Sequence, residues 1–102
     1  MKHADESERV FDRERADMVE LLRSHYHIRD ERILGAMGKI RRHVYIPDSE
    51  RSGSDPYGDH PCSIGFGQTV SQPFIVAYMT EKMDLRKGET VLEIGTGSGY
   101  QA

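Results

Sequence analysis

Thr90-Val91-Leu92-Glu93-Ile94-Gly95-Thr96-Gly97-Ser98-Gly99 is the stretch on which the fold turns. Thr90 to Ile94 is short and mostly apolar, the pattern of a strand buried in a parallel sheet. It runs directly into three glycines at alternate positions, and a glycine-rich turn at the carboxyl end of a parallel strand is where α/β folds bind nucleotides. Glycine has no Cβ, so the backbone there can approach a ligand closely. The spacing is G-x-G-x-G and not the G-x-G-x-x-G of dinucleotide sites, and no helix of useful length follows it in these residues. A glycine-rich connector that binds nothing is the competing reading at this point.

Upstream, Lys87-Gly88 reads as a turn. A helix is expected from Ser71-Gln72-Pro73 to about Met83, with Ser71 as its cap and Pro73 in the first turn, where the missing N–H costs nothing. Ile64-Gly65-Phe66-Gly67-Gln68-Thr69-Val70-Ser71-Gln72-Pro73 mixes glycines with hydroxyl and amide donors at that helix start. Such a place suits a carboxylate, because a helix N-terminus offers unpaired amide protons and partial positive charge. From pattern alone, a serine that only caps its helix is the commoner case. Pro47 to Gly67 is rich in Pro, Gly, Ser and Asp and reads as a long loop, either a linker or a substrate-side arm. Before it, Phe11, Met18, Val19, Leu22 and Tyr26 line one face of a helix over Val10 to Tyr26, with Arg15 interrupting the stripe. Asp30 is placed to cap a second helix carrying Ile33, Leu34, Met37 and Ile40. Gly35 and Gly38 weaken that helix by about 1 kcal/mol each relative to alanine, which close packing against a neighbour would explain. The charges of Asp5 to Arg15 read as a solvated face. The expected organisation is one unit, with residues 1–46 helical, 47–70 a loop, and 71–102 a helix, a strand and the glycine loop.

The 102 residues are 36% hydrophobic and 30% charged, the composition of a single globular unit. A net charge of −3 gives no basic field to collect nucleic acid or anionic membrane. Cys62 is the sole cysteine, so an intrachain disulfide is excluded and a reducing, cytoplasmic setting is expected. Met1 to Glu14 contains no apolar core of a secretory signal, and no run of eighteen apolar residues occurs, so neither export nor membrane insertion is expected. His25 and His27 stand two apart and His60 with Cys62 supplies only two ligands, so no metal is expected. Cys62 has no neighbour that would mark it as a nucleophile.

Two motifs at the right separation carry a resemblance to a known family. Gly67-Gln68-Thr69-Val70-Ser71-Gln72-Pro73 with Met79-Thr80-Glu81, and Val91 to Ala102, resemble the protein-L-isoaspartate methyltransferases. The resemblance extends upstream through Arg42-His43, Tyr45, Pro47, Tyr57, Asp59 and Pro61 to Ile64-Gly65. It departs at Arg41, where the family usually has proline, and at Pro61-Cys62-Ser63-Ile64-Gly65, where Pro-Leu-Pro-Ile-Gly is usual. It implies an α/β chain in which N-terminal helices precede the first strand of a Rossmann-like, S-adenosylmethionine-dependent methyltransferase fold. It also implies that the sequence stops before the acidic residue that grips the cofactor ribose and before the later strands.

The family methylates the free α-carboxylate of L-isoaspartyl residues in damaged proteins, a repair reaction. By the same resemblance Ser71 would hydrogen-bond that carboxylate, with Gln68, Thr69 and Val70 forming the adjoining wall. Gly95, Thr96, Gly97, Ser98 and Gly99, with Glu93 beside them, would hold S-adenosylmethionine. The implied partners are isoaspartyl proteins and peptides. Both neighbours of the strand over Val91 to Ile94 would come from later sequence, so these residues alone are expected to be inactive, with an exposed incomplete sheet open to self-association. An inactive fragment and a nucleotide-binding oxidoreductase are the competing readings; the missing dinucleotide fingerprint and the Thr69-Val70-Ser71 signature weigh against the latter.

Overall fold

The computed structural model describes residues 2–51 and 55–102, with side chains from residue 6 onward. Three helices, α1 (Lys2–Ser24), α2 (Glu31–Lys39) and α3 (Pro73–Met83), pack on one another. Between α2 and α3 lie two 3₁₀ turns, Arg42–Tyr45 and Asp48–Glu50, and a hairpin of β1 (Cys62–Gly65) and β2 (Gln68–Val70). Met18 and Leu22 of α1, Leu34 and Met37 of α2, and Val76 and Ala77 of α3 meet in the core, joined by Ile28, Ile46, Cys62 and Val70.

α1 starts earlier than its apolar stripe and stops at Ser24. His27 adopts φ 60° and the Ile28 N–H reaches back to the Leu22 carbonyl at 3.0 Å, a closure that satisfies one of the last orphan carbonyls. Arg15, which interrupts the stripe, is not solvated: it is buried, donating to the Gly38 carbonyl (3.0 Å), the Tyr57 hydroxyl (3.1 Å) and Asp12 (2.5 Å). Asp30 caps α2 through a bond from the Arg32 amide at 2.9 Å. Close packing does not explain the α2 glycines. A Cβ at Gly35 would meet nothing within 4 Å, and one at Gly38 would touch Val19 at an ordinary 3.8 Å.

Three further expectations are corrected. The stretch expected as loop over residues 47–70 holds a 3₁₀ turn and the antiparallel hairpin. Pairing runs Cys62 to Val70, Ser63 to Thr69 and Gly65 to Gln68, with a bulge between Ser63 and Gly65. The two-residue connection, Phe66-Gly67, has φ 58° and 70°, the sign pattern of a type I′ turn. For a non-glycine residue that conformation costs roughly 1–2 kcal/mol. Second, Ser71 does not cap α3. The helix begins at Pro73, the cap residue is Gln72, and no side chain caps it. Third, Thr90 to Ile94 forms no strand. Val91, Leu92 and Ile94 are 48%, 84% and 88% exposed, and among the described residues no strand lies beside them to complete a ladder. A lone strand leaves every backbone donor and acceptor to water and gains no cross-strand packing, so its propensity alone does not fix it. What the structure presents is therefore a small α/β unit of three helices and a two-stranded sheet.

Candidate functional site

The two motif segments meet across one cleft. Gln68, Thr69, Val70 and Ser71 form one wall, and Glu93, Gly95, Thr96, Gly97 and Ser98 form the other. Of the sequence-derived candidates only Gly99 lies outside the lining; its amide closes the glycine turn onto the Thr96 carbonyl at 2.9 Å. Gly95, Gly97 and Gly99 have φ of 75°, 57° and 86°, so a side chain at any of them would be strained. The cleft measures about 130 Å³ and is lined mainly by polar groups. Complete small-molecule sites usually span about 300–1,000 Å³, so this is part of a site in size as well as in composition. A larger cavity of about 240 Å³ lies between α2 and α3, lined by Ile33, Met37, Ile40 and Leu85 among others. It contains none of Gln68 to Ser71 and none of Glu93 to Gly99, and the chemistry is assigned to the smaller cleft.

Sequence reasoning missed Val76, Tyr100 and Gln101, which complete the lining. Tyr100 holds the glycine segment to the body of the molecule. Its ring is buried, packs edge-on against Tyr45 at 5.7 Å and lies under the Arg42 guanidinium at 4.9 Å. Burial pushes its phenol up, and Arg42 only partly offsets this, so the hydroxyl stays neutral at physiological pH. Gln101 reaches from the end of this segment to the Thr80 hydroxyl of α3 at 3.3 Å.

The other wall is fixed from beneath by Arg42, which has no exposed surface. Its Nε donates to the Pro56 carbonyl at 2.5 Å and its Nη2 to the Ser71 carbonyl at 2.9 Å. Gln72, next to Ser71, donates to Asp59 at 2.7 Å, and Asp59 accepts a second bond from the Tyr26 hydroxyl at 2.6 Å. Those two donors, Tyr26 first and Gln72 after it, hold the Asp59 carboxyl below its ordinary value. Tyr26 stacks on Phe74 at 4.2 Å, so the turn after α1, the Asp59 loop and the start of α3 are joined at one point. Pro73 has no N–H to offer, and with no side-chain cap the Phe74 and Ile75 amides are the unpartnered ones at the start of α3.

A hydroxyl-lined wall beside uncapped helix amides can bind a carboxylate, and a glycine turn flanked by Glu93 and Ser98 can admit a hydroxyl- or amine-bearing ligand. Residues 13–102 match the family model described as protein-L-isoaspartate(D-aspartate) O-methyltransferase. This chain belongs to that family. A protein-L-isoaspartate O-methyltransferase of Methanoculleus marisnigri is 55% identical over 91 residues, which are 88% of this chain and 40% of the relative. That of Methanopyrus kandleri is 47% identical over 97 residues, 95% of this chain and 42% of the relative. Protein-L-isoaspartate O-methyltransferase 1 of Cupriavidus necator is 46% identical over 98 residues, 87% of this chain and 37% of the relative. The chain thus spans about two fifths of the length of these family members, and both motif walls fall inside the matched region. No described helix is long and apolar enough to cross a membrane.

Proposed function

We propose that these residues form the N-terminal portion of an S-adenosylmethionine-dependent methyltransferase that esterifies the α-carboxylate of L-isoaspartyl residues in damaged proteins, in the cytoplasm. The observation that carries the reading is the single cleft shared by Gln68 to Ser71 and Glu93 to Ser98. The donor set suits the cofactor: two left-handed glycines, Gly95 and Gly97, with the Thr96 and Ser98 hydroxyls and the Glu93 carboxylate, line the cleft for a ligand of mixed charge. When bound, the cofactor supplies an activated methyl carbon. Gly95, Gly97 and Gly99 would admit its methionyl end, with Glu93, Thr96 and Ser98 as polar partners. The Rossmann-like sheet around this loop belongs to the same proposal.

The acceptor carboxylate has an ordinary pKa near 3.5, so at neutral pH it is already a nucleophile and needs no general base. The task left to the protein is orientation, which can supply a large share of a barrier. Ser71 donates to the carboxylate, and its hydroxyl is free for that work because α3 does not use it as a cap. Gln68, Thr69 and Val70 confine the substrate on that side. The exposed Val91, Leu92 and Ile94 support self-association of these 102 residues when nothing covers them.

The test is a hybrid enzyme in which residues 1–102 replace the matching segment of the Methanoculleus marisnigri relative, assayed with isoaspartyl and aspartyl peptides. Methyl transfer to the isoaspartyl peptide alone is the expected result. Binding of NAD without methyl transfer would favour an oxidoreductase instead.

A further inference from the structure

We propose that Tyr100 is a positioning residue for methyl transfer: its ring, packed on the Arg42 guanidinium that holds the Ser71 carbonyl, sets the glycine wall of the cleft against the hydroxyl wall. This rests on the methyltransferase reading above. The two walls come from separate stretches of chain, Gln68 to Ser71 and Glu93 to Ser98. In-line transfer requires the acceptor oxygen and the methyl carbon about 3–3.5 Å apart, and a displacement of about 1 Å can cost about 10²-fold in rate. A contact that reaches both walls therefore bears on the chemical step.

Arg42 makes that contact. Its Nη2 donates to the Ser71 carbonyl at 2.9 Å, and its guanidinium carbon lies 4.9 Å from the centre of the Tyr100 ring. Tyr100 follows Gly99 directly and itself lines the cleft. Its edge-on partner Tyr45 belongs to the same 3₁₀ turn as Arg42, so one short turn supplies both contacts to the ring. Among the described residues Arg42 forms no ion pair; its charge meets the Pro56 and Ser71 carbonyls, the Cys62 sulfur and the face of the ring. A cation on a ring face is held more strongly where water is excluded. Arg42 has no exposed surface and Tyr100 is 5% exposed, so the contact is already closed to water within these residues.

The ring makes the link, and the hydroxyl does not. Tyr100 Oη is buried without a hydrogen-bond partner among the described residues, and a buried hydroxyl left unpartnered is a net cost to folding. Each ligand draws its affinity from its own wall, whereas transfer depends on the separation of the two. Loss of the ring accordingly acts on kcat more than on KM.

The experiment uses the hybrid enzyme with Tyr100→Leu, Tyr100→Phe, Ser71→Ala, and the double variant carrying Ser71→Ala and Tyr100→Leu. Tyr100→Leu is expected to lower kcat about tenfold or more. Peptide KM, and cofactor affinity by calorimetry, are expected to stay within about threefold of the unsubstituted hybrid. Tyr100→Phe, which keeps the ring, is expected to restore kcat, with a melting temperature that holds or rises. In the Ser71→Ala background Tyr100→Leu is expected to lower kcat by less than about twofold further, because it acts through Ser71. An unchanged kcat in Tyr100→Leu, or a cofactor affinity that falls as far as kcat, would overturn the assignment. Losses that multiply in the double variant would overturn it too, since those are the mark of a residue that acts independently of Ser71. Tyr100→Phe as slow as Tyr100→Leu would also refute it, by moving the role to the hydroxyl. If Tyr100→Leu does not fold, Tyr100→Met fills the space without an aromatic face and the same outcomes are read on it. If the unsubstituted hybrid methylates no isoaspartyl peptide, the methyltransferase reading fails and takes this one with it. Wild-type rates throughout the Tyr100 series leave that reading intact and remove this one alone.

Discussion

The fully buried guanidinium of Arg42 donates to the backbone carbonyl of Ser71 at 2.9 Å, so the residue that presents a hydroxyl to the cleft is fixed through its main chain. Arg42→Met removes both this donor and the one to the Pro56 carbonyl and leaves two acceptors short of a partner. Each buried loss of this kind costs about 1–3 kcal/mol, partly offset because a charge need no longer be desolvated. Denaturant unfolding of the hybrid enzyme is expected to show a net loss of about 2–4 kcal/mol. Arg42→Lys is expected to recover only part of it, since an ammonium cannot reproduce the planar fork. Wild-type stability in Arg42→Met would show that the bond does not hold Ser71.

Ser71→Ala separates chemistry from architecture. A capping serine replaced by alanine costs about 0.5–2 kcal/mol, but Ser71 is not the cap of α3, so the melting temperature is expected to stay put. Methyl transfer to isoaspartyl peptides is expected to fall by about 10²-fold with cofactor affinity intact. Wild-type turnover would remove Ser71 from the site.

His43 makes stability depend on pH. It is buried and stacked on Phe11 at 4.0 Å, with Nδ1 on the Tyr57 hydroxyl (2.8 Å) and Nε2 facing Glu8 (3.3 Å). Burial lowers its pKa below the ordinary 6.5; Glu8 opposes the shift, and Arg51 and Arg15 add to it. Between its folded pKa and 6.5 the unfolded chain binds more protons than the folded one, so stability rises with pH in that window and levels off above it. One group contributes a slope of at most about 1.4 kcal/mol per pH unit. Urea midpoints measured from about pH 5 to pH 7 are expected to climb, and His43→Gln to flatten the climb. An unchanged slope in the variant would assign it to other groups.

As a separate polypeptide, residues 1–102 are expected to show no methyl transfer above about 10⁻² per second, because the glycine turn follows a segment that pairs with no strand among the described residues. Sedimentation is expected to show concentration-dependent self-association through Val91, Leu92 and Ile94. A monomeric chain that turns over isoaspartyl peptide would refute both statements.

Features set by local chemistry were legible in the sequence: the Asp30 cap, Pro73 in the first turn of α3, and the two motifs whose residues share the cleft. Features set by distant partners were not. Arg15 looked like a flaw in an apolar stripe because its acceptors, Gly38 and Tyr57, lie 23 and 42 residues away. The hairpin escaped notice because its strands have four and three residues, a bulge breaks their alternation, and Phe-Gly is not a usual turn pair. Thr90 to Ile94 has the composition of a strand, but a strand is a property of a pair.

The 3₁₀ turn Arg42–Tyr45 places two consecutive buried polar side chains against different neighbours. Arg42 engages Pro56, Ser71 and Tyr100, whereas His43 engages Phe11, Tyr57 and Glu8. Four residues of backbone thus belong at once to the cleft and to the face of α1, and a shift that relieves one side is imposed on the other. Substitutions on the two sides are accordingly non-additive. The shared element is mechanical: a backbone displacement that accommodates a new side chain at Phe11 also moves the guanidinium that holds the Ser71 carbonyl, so the helix surface and the cleft wall answer to one short turn.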